Sequence, residues 1–164
     1  MTTWRNKMHH LIRFVVKADD EEDAMSKARD MLDQFTQYHT NSIDYGTFFD
    51  EEGSSVSGKG RWGDRKHIHK LFSAGGAELL LHGLQVDYKE MKEAIVEVRK
   101  SLEKSDQEIY EDGMARYYFR KVHEKQWVAH DGEFADVGLI NYILTEIKDL
   151  NFDEWWIIPC DVHT

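Results

Sequence analysis

The order of the predicted elements indicates an α+β fold, built from one sheet and several helices. Two β-α-β units lie near the two ends of the chain, and a helical, glycine-rich middle separates them. This order is typical of a ferredoxin-like split β-α-β sandwich, with an antiparallel or mixed sheet, helices on one face and an insertion of about 60 residues at about 50–113. Since 164 residues suffice for one hydrophobic core, we expect residues 1–164 to form a single domain.

The first β-α-β unit is predicted from three segments. Residues 8–17 are rich in apolar and β-branched side chains, which favours a central strand. The acidic run 19–23 then supplies an N-cap and first-turn acids, and apolar residues at helical spacing predict a helix over 20–38. Alternating apolar and polar residues indicate a second strand near 42–49.

The middle of the chain is predicted to be helical in pieces. Gly75, Gly76 and Gly83 interrupt the apolar pattern over 66–84, so breaks are expected there. A capping-box pattern starting at Asp87 then predicts a helix at about 87–104.

The second β-α-β unit is predicted over the last third of the chain. A strand at 114–123 follows the turn Asp112-Gly113 and is expected to form a hairpin with a short strand at 126–130. A helix at about 135–149 comes next. The final strand, 155–158, is expected to end at Pro159, because proline cannot donate to a strand ladder.

The overall charge limits the classes of function. A net charge of −10 argues against general nucleic-acid binding, which needs lysine and arginine against phosphates. Apolar runs are too short for a membrane span and the N-terminus lacks a secretory pattern, so no membrane association is expected. A single cysteine, Cys160, cannot form an internal disulfide, which favours a cytoplasmic location.

Residues 53–70 form a cationic island, with five lysine or arginine residues against one aspartate. Glycine-rich loops expose backbone amides, arginine clamps phosphate or carboxylate, and tryptophan stacks on rings. The predicted anion-binding residues are Lys59, Arg61, Trp62, Arg65 and Lys66. Residues 53–60 resemble a P-loop, but Gly60 stands where the Mg²⁺-binding hydroxyl belongs and a turn sequence follows, so no working P-loop is predicted.

Two short histidine motifs predict a metal site as an alternative. His67 and His69, and likewise Asp161 and His163, would each share one face of an extended strand. Together they would supply imidazoles and a carboxylate, the ligands of an open site for a divalent metal such as zinc or iron. The neighbouring Lys66 and Lys70 disfavour a divalent cation.

Other histidines are expected to have structural roles. His9 and His10 are adjacent in a strand, so they point to opposite faces and cannot act as one site. His82 follows the apolar run 79–81 and is expected to be a hydrogen-bonded histidine at the edge of the core.

Three function classes therefore fit the sequence. The leading one is a small acidic cytoplasmic binding or interaction module without catalysis or cofactor of its own, whose partner is another protein or a second copy in a homodimer. The second is a domain, enzymatic in one version, that binds a small anion or nucleotide through loop 58–70. The third is a metal-dependent enzyme that uses the two histidine motifs.

Overall fold

The structure, a computed structural model, describes residues 9–38, 43–52, 54–123, 127–130, 133–136 and 152–163. Six strands are formed within these residues: β1 (His9–Lys17), β2 (Tyr45–Phe48), β3 (His69–Lys70), β4 (Trp127–His130), β5 (Glu133–Asp136) and β6 (Trp155–His163). The helices are α1 (Glu21–Tyr38), α2 (Lys59–Trp62), α3 (Ala74–Ser101), α4 (Asp106–Glu111) and α5 (Gly113–Lys121), with a short 3-10 helix at Phe152–Glu154.

The strands form one mixed sheet in the order β2–β6–β1–β4–β5, and β3 pairs with β6 beside β2. Strand β1 is parallel to β4 and antiparallel to β6. These pairings confirm the α+β class and the mixed sheet. Because β3 joins the sheet, the middle of the chain contributes a strand as well as helices. The ferredoxin-like topology and the insertion remain predictions.

Helices cover both faces of the sheet, so the prediction of helices on one face was wrong. Residues Leu11 to Val16 of β1 are all buried, which requires cover on either side. One core cluster contains Phe14 and Ile158 together with α1 residues such as Phe35. A second cluster on the opposite face joins Val15 and Ile157 to Leu79 of α3.

Residues 113–121 are helical, so the strand predicted at 114–123 was wrong. The Asp112 side chain accepts hydrogen bonds from the amides of Met114 and Ala115, which caps the start of α5. With that segment helical, β4 pairs with β1 and β5, not with 114–123. The helix predicted at about 135–149 lies largely outside the described residues.

Helix α3 continues through every predicted break. Ser73 caps its start by accepting a hydrogen bond from the amide of Gly76. The glycines within it mark close approaches to other atoms: a Cβ built at Gly83 would lie 2.8 Å from Cζ of Arg13. Glycine at these positions leaves space for neighbouring atoms, and it does not end the helix.

Strand β6 runs through Pro159 to His163, so the predicted end at Pro159 was wrong. On one side Pro159 is opposite Arg13 of β1. On its other side, β3 pairs with residues Trp156 and Ile157, whereas β2 pairs with residues from Cys160 onward. Pro159 therefore lies in the gap between the two short strands, where its missing N–H interrupts no ladder. Within the described part of the chain, no helix has the length and apolar character needed to cross a membrane.

Candidate functional site

Polar side chains collect on the sheet face that packs against α3. His9 and Arg13 of β1 share this face with Asp161 and His163 of β6, because alternate residues of a strand point to the same side. His82 meets them from α3 through its hydrogen bond with Arg13. We call these five residues the polar seam. The opposite face at the same positions carries the apolar residues Ile12, Cys160 and Val162, which contact α1, and also His10.

Asp161 connects the sheet to the glycine-rich loop. Its buried carboxylate accepts a hydrogen bond of 2.9 Å from the amide of Gly58. The Nδ1 atom of His9 lies 3.1 Å from both carboxylate oxygens. Asp161 thus fixes both the start of the loop and the orientation of the His9 ring. The amide of Gly58, at the start of the loop, therefore binds a carboxylate of the protein itself, and binding of an external anion by the loop stays a prediction.

A row of three rings crosses the end of the sheet. Tyr45, His163 and His9 are aligned in register on β2, β6 and β1. The rings of Tyr45 and His163 are stacked with centroids 4.9 Å apart, and those of His163 and His9 meet edge to face at 5.1 Å. Nδ1 of His163 lies 3.0 Å from the carboxylate of Asp44. Each histidine therefore has Nδ1 occupied by an aspartate, so any further contact uses Nε2.

Arg13 is a fully buried arginine between β1 and α3. Its Nε donates to the carbonyl of Leu79 at 2.8 Å, and Nη1 donates to the carbonyl of Leu11 at 2.7 Å. The close approach of Gly83 makes room for the guanidinium group. A buried cation is stable only when it makes such hydrogen bonds. The hydrogen bonds of Arg13 therefore hold α3 and β1 in a fixed relative position.

His82 contacts the guanidinium group of Arg13, and the charge of Arg65 also acts on its ring. Nη2 of Arg13 is 3.2 Å from its Nδ1, and since arginine can only donate, Nδ1 accepts and the proton of the neutral ring sits on Nε2. Burial lowers the pKa of His82, and the charges of Arg65 and Arg13 lower it further. His82 is the hydrogen-bonded histidine at the core edge that the sequence predicted. Its ring is influenced by the positive charges of Arg65 and Arg13 and by the opposing negative charge of Glu78, which raises its pKa.

The predicted anion-binding residues differ in their availability. Lys59 is paired with Asp64 at 3.2 Å and Lys66 with Glu21 at 3.9 Å. Arg61 is exposed, with its guanidinium 5.8 Å from the ring centroid of Trp62. Arg65 donates through Nε to the carbonyl of Trp62 at 3.2 Å. Within the described residues, the buried indole N–H of Trp62 has no acceptor.

The two turns of this loop need glycine at both ends of α2. Gly58 has φ of 53° and Gly63 has φ of 84°, a region that favours glycine. The first of these turns aims the Gly58 amide at Asp161, and the second leads the chain toward Arg65. The loop therefore runs from Gly58, which binds Asp161 of the polar seam, to Arg65, whose charge acts on His82.

The predicted metal residues are not brought together. His69 is opposite Ile157 on β6, four residues from Asp161, which is about 13 Å along a strand. His67 lines an open cleft of about 430 Å³ that Glu21, Glu22 and Asp50 also line. Among the residues that the structure describes, no three or more histidine, cysteine, aspartate or glutamate side chains are grouped to hold a metal ion.

Comparison with known proteins places the chain in a family without assigning a function. Residues 8–164 match the model of a domain of unknown function, DUF7995. The chain belongs to this family. The match includes all five residues of the polar seam and the whole of the loop between Gly58 and Arg65. No curated protein and no solved structure matches the chain.

Sequence reasoning found some of these residues and missed others. The loop residues and the Asp161–His163 pair were identified, although their partners were not. Arg13 was missed, and the signal for it was a single arginine inside an otherwise apolar strand. His9 was recognised as facing away from His10, but its pairing with Asp161, 152 positions away, depends on the antiparallel β1–β6 register.

Proposed function

We propose that this chain is a binding module, without catalysis of its own, for a small molecule that carries a phosphate or carboxylate group. The anionic group would bind where loop 58–65 meets the polar seam, between Arg65 and His82. The observation that carries this proposal is the hydrogen bond between Arg13 and His82, together with the indole N–H of Trp62, which has no acceptor among the described residues; the charge of Arg65 acts on the same histidine. Two guanidinium groups at a half-buried site create a positive potential that attracts an anion.

The donors at this place support the same ligand class. The Nε atom of Arg65 donates a hydrogen bond to the Trp62 carbonyl. Among the described residues, no acceptor binds the two terminal nitrogens of Arg65. His82 offers Nε2–H, because Nδ1 is occupied by Arg13. The indole N–H of Trp62 is buried without an acceptor in the described residues, which costs about 1–3 kcal/mol. An oxyanion has the several acceptor oxygens that such a set of donors requires.

The ion pairs of the loop show which of its cations are available to a ligand. Lys59 and Lys66 already face carboxylates, and Lys70 binds the carbonyl of Asp153 and lies 3.5 Å from the ring centroid of Trp156. Arg61 and Arg65 are therefore the loop cations that remain for a ligand. The metal-dependent alternative would need ligands from both histidine motifs, and the distance between those motifs along the sheet does not support it.

The test is a titration of the full chain with inorganic phosphate and with citrate, followed by calorimetry and by NMR of the His82 ring. Arg65→Gln should weaken binding about tenfold or more, because a charge-assisted hydrogen bond contributes about 1.5–3 kcal/mol. Lys66→Gln is the matched control, since it removes the same charge from the same loop at a residue paired with Glu21. Equal losses in both variants, or no saturable binding of either anion, would refute the proposal.

Three further parts of the sequence-based interpretation belong with this proposal. A ferredoxin-like core is supported by the β6–β1–β4 pairing, in which the middle strand has one antiparallel and one parallel neighbour. A cytoplasmic location is supported by the single cysteine, Cys160, which is buried and free. The acidic charge still disfavours general nucleic-acid binding.

A further inference from the structure

Helix α3 carries an apolar stripe on the side that faces away from the core. Four of its large hydrophobic residues are strongly exposed: Leu81 at 55%, Leu84 at 42%, Tyr88 at 59% and Val96 at 49%. At about 100° per residue these four fall within one arc of about 120°. We call them the α3 stripe. Two exposed polar residues, Gln85 and Lys92, fall within the same arc, and Nζ of Lys92 lies 5.2 Å from the ring centroid of Tyr88. Exposed apolar side chains grouped on one helix side mark an interaction site more often than scattered single residues do.

The buried side of α3 is opposite to this stripe. Leu79 and Ala94 are buried, and they lie roughly 160–220° around the helix from Leu81. On that same side, Glu90 pairs with Lys121 of α5 at 3.2 Å. Packing against α5 and the sheet therefore uses the far side of α3 and leaves the α3 stripe outward.

The charges along α3 point to the partner. The helix has five acidic and four basic residues, so it is nearly neutral in a protein of net charge −10. Glu78 precedes the α3 stripe and Arg99 follows it, and both are exposed on the same side of the helix. The stripe thus begins at an acid and ends at a base, which is the arrangement that an antiparallel copy of itself would complement.

We propose that a second copy of this chain docks on the α3 stripe, with the two α3 helices antiparallel about a two-fold axis between Tyr88 and Lys89. In this register Glu78 faces the second copy's Arg99, and Leu81 faces the second copy's Val96. Both pairs occur twice, as an isologous interface requires. The stripe spans about 22 Å, and the two Tyr88 rings lie next to the axis, where aromatic anchors contribute most to binding.

The four residues of the α3 stripe do not include Arg65, Trp62 or His82 of the anion site, although His82 directly follows Leu81 on the same helix. This interface also explains how copies of an acidic protein would associate: the nearly neutral helix forms the contact while the acidic surfaces elsewhere remain in solvent.

The test is sedimentation equilibrium of the full chain over a wide concentration range. The wild-type chain should be a dimer in equilibrium with monomer, and Tyr88→Glu should weaken the dimer about tenfold or more, since it places a charge at the centre of the apolar contact. Tyr110→Glu is the matched control, because Tyr110 lies on α4 and is 74% exposed. Circular dichroism would verify that each variant is folded.

A charge exchange tests the antiparallel register. Glu78→Arg and Arg99→Glu should each weaken the dimer by placing like charges together, and the double variant should restore it. A wild-type chain that is monomeric at every concentration would overturn the proposal. So would a dimer that Tyr110→Glu disrupts as much as Tyr88→Glu, or a double charge variant that is no better than the single ones.

Discussion

Arg13 and Asp161 show how single buried charges organise this molecule. Each is almost completely buried, and each is satisfied by specific partners: carbonyls and His82 for Arg13, and the Gly58 amide and His9 for Asp161. An unpaired buried charge is very costly, so these partners cannot be exchanged freely. The two residues therefore fix where α3 and the glycine-rich loop sit on the sheet.

At the same scale, His82 makes stability depend on pH. Burial and then the charges of Arg65 and Arg13 lower its pKa in the folded state. On acidification the unfolded chain binds the proton first, so the free energy of unfolding should fall as the pH drops below about 6.5, the pKa of an unfolded histidine, and through the lower pKa of the folded state. Urea unfolding at several pH values measures this. His82→Gln should flatten the dependence, and curves parallel to wild type would contradict the prediction.

His69 provides a second test of the predicted fall in the free energy of unfolding at acidic pH. Its pKa is also lowered, mainly by burial and by Lys66. His69→Gln should therefore flatten the same acidic limb, and the double variant His69→Gln/His82→Gln should flatten it further.

At the scale of elements, the close contact of α3 with β1 is set by a glycine. A methyl group at Gly83 would enter the space of the Arg13 guanidinium, whereas Gly113 at the start of α5 has open space around it. We expect Gly83→Ala to destabilise the protein by about 1–3 kcal/mol, although alanine is the better helix former.

Gly113→Ala is the control for this prediction. It should leave the free energy of unfolding unchanged or raise it by up to about 1 kcal/mol, because alanine restricts the unfolded chain without a clash. Chemical denaturation of both variants supplies the measurement. If Gly83→Ala proved as stable as Gly113→Ala, the close α3–β1 packing around Arg13 would be wrong.

At the scale of the whole molecule, the central position of β6 protects Cys160. The thiol is buried, and burial followed by the charge of Asp161 raises its pKa well above the usual range. Because β6 pairs with β1, β2 and β3, exposure of the thiol requires the sheet to open. Thiol labelling should thus be slower in the native protein than in concentrated guanidinium chloride by a factor of about a thousand or more.

Two comparisons would complete this labelling experiment. Cys160→Ala should show no labelling, which confirms that the signal comes from the single thiol. Rapid labelling of the native wild-type chain would mean that β6 is accessible at the edge of the sheet and would contradict the strand order.

The class of fold, the first strand and helix, the start of the last strand and the position of the cationic loop can be predicted from the sequence, because these depend on local patterns of apolar spacing, capping and charge. Tertiary structure alone decided that residues 113–121 are helical, that α3 passes through its glycines and that β6 continues beyond Pro159. It also decided that Asp161 meets Gly58 and that His82 meets Arg13. Such pairs depend on strand register and on helix packing between distant segments, and local patterns carry no information about either.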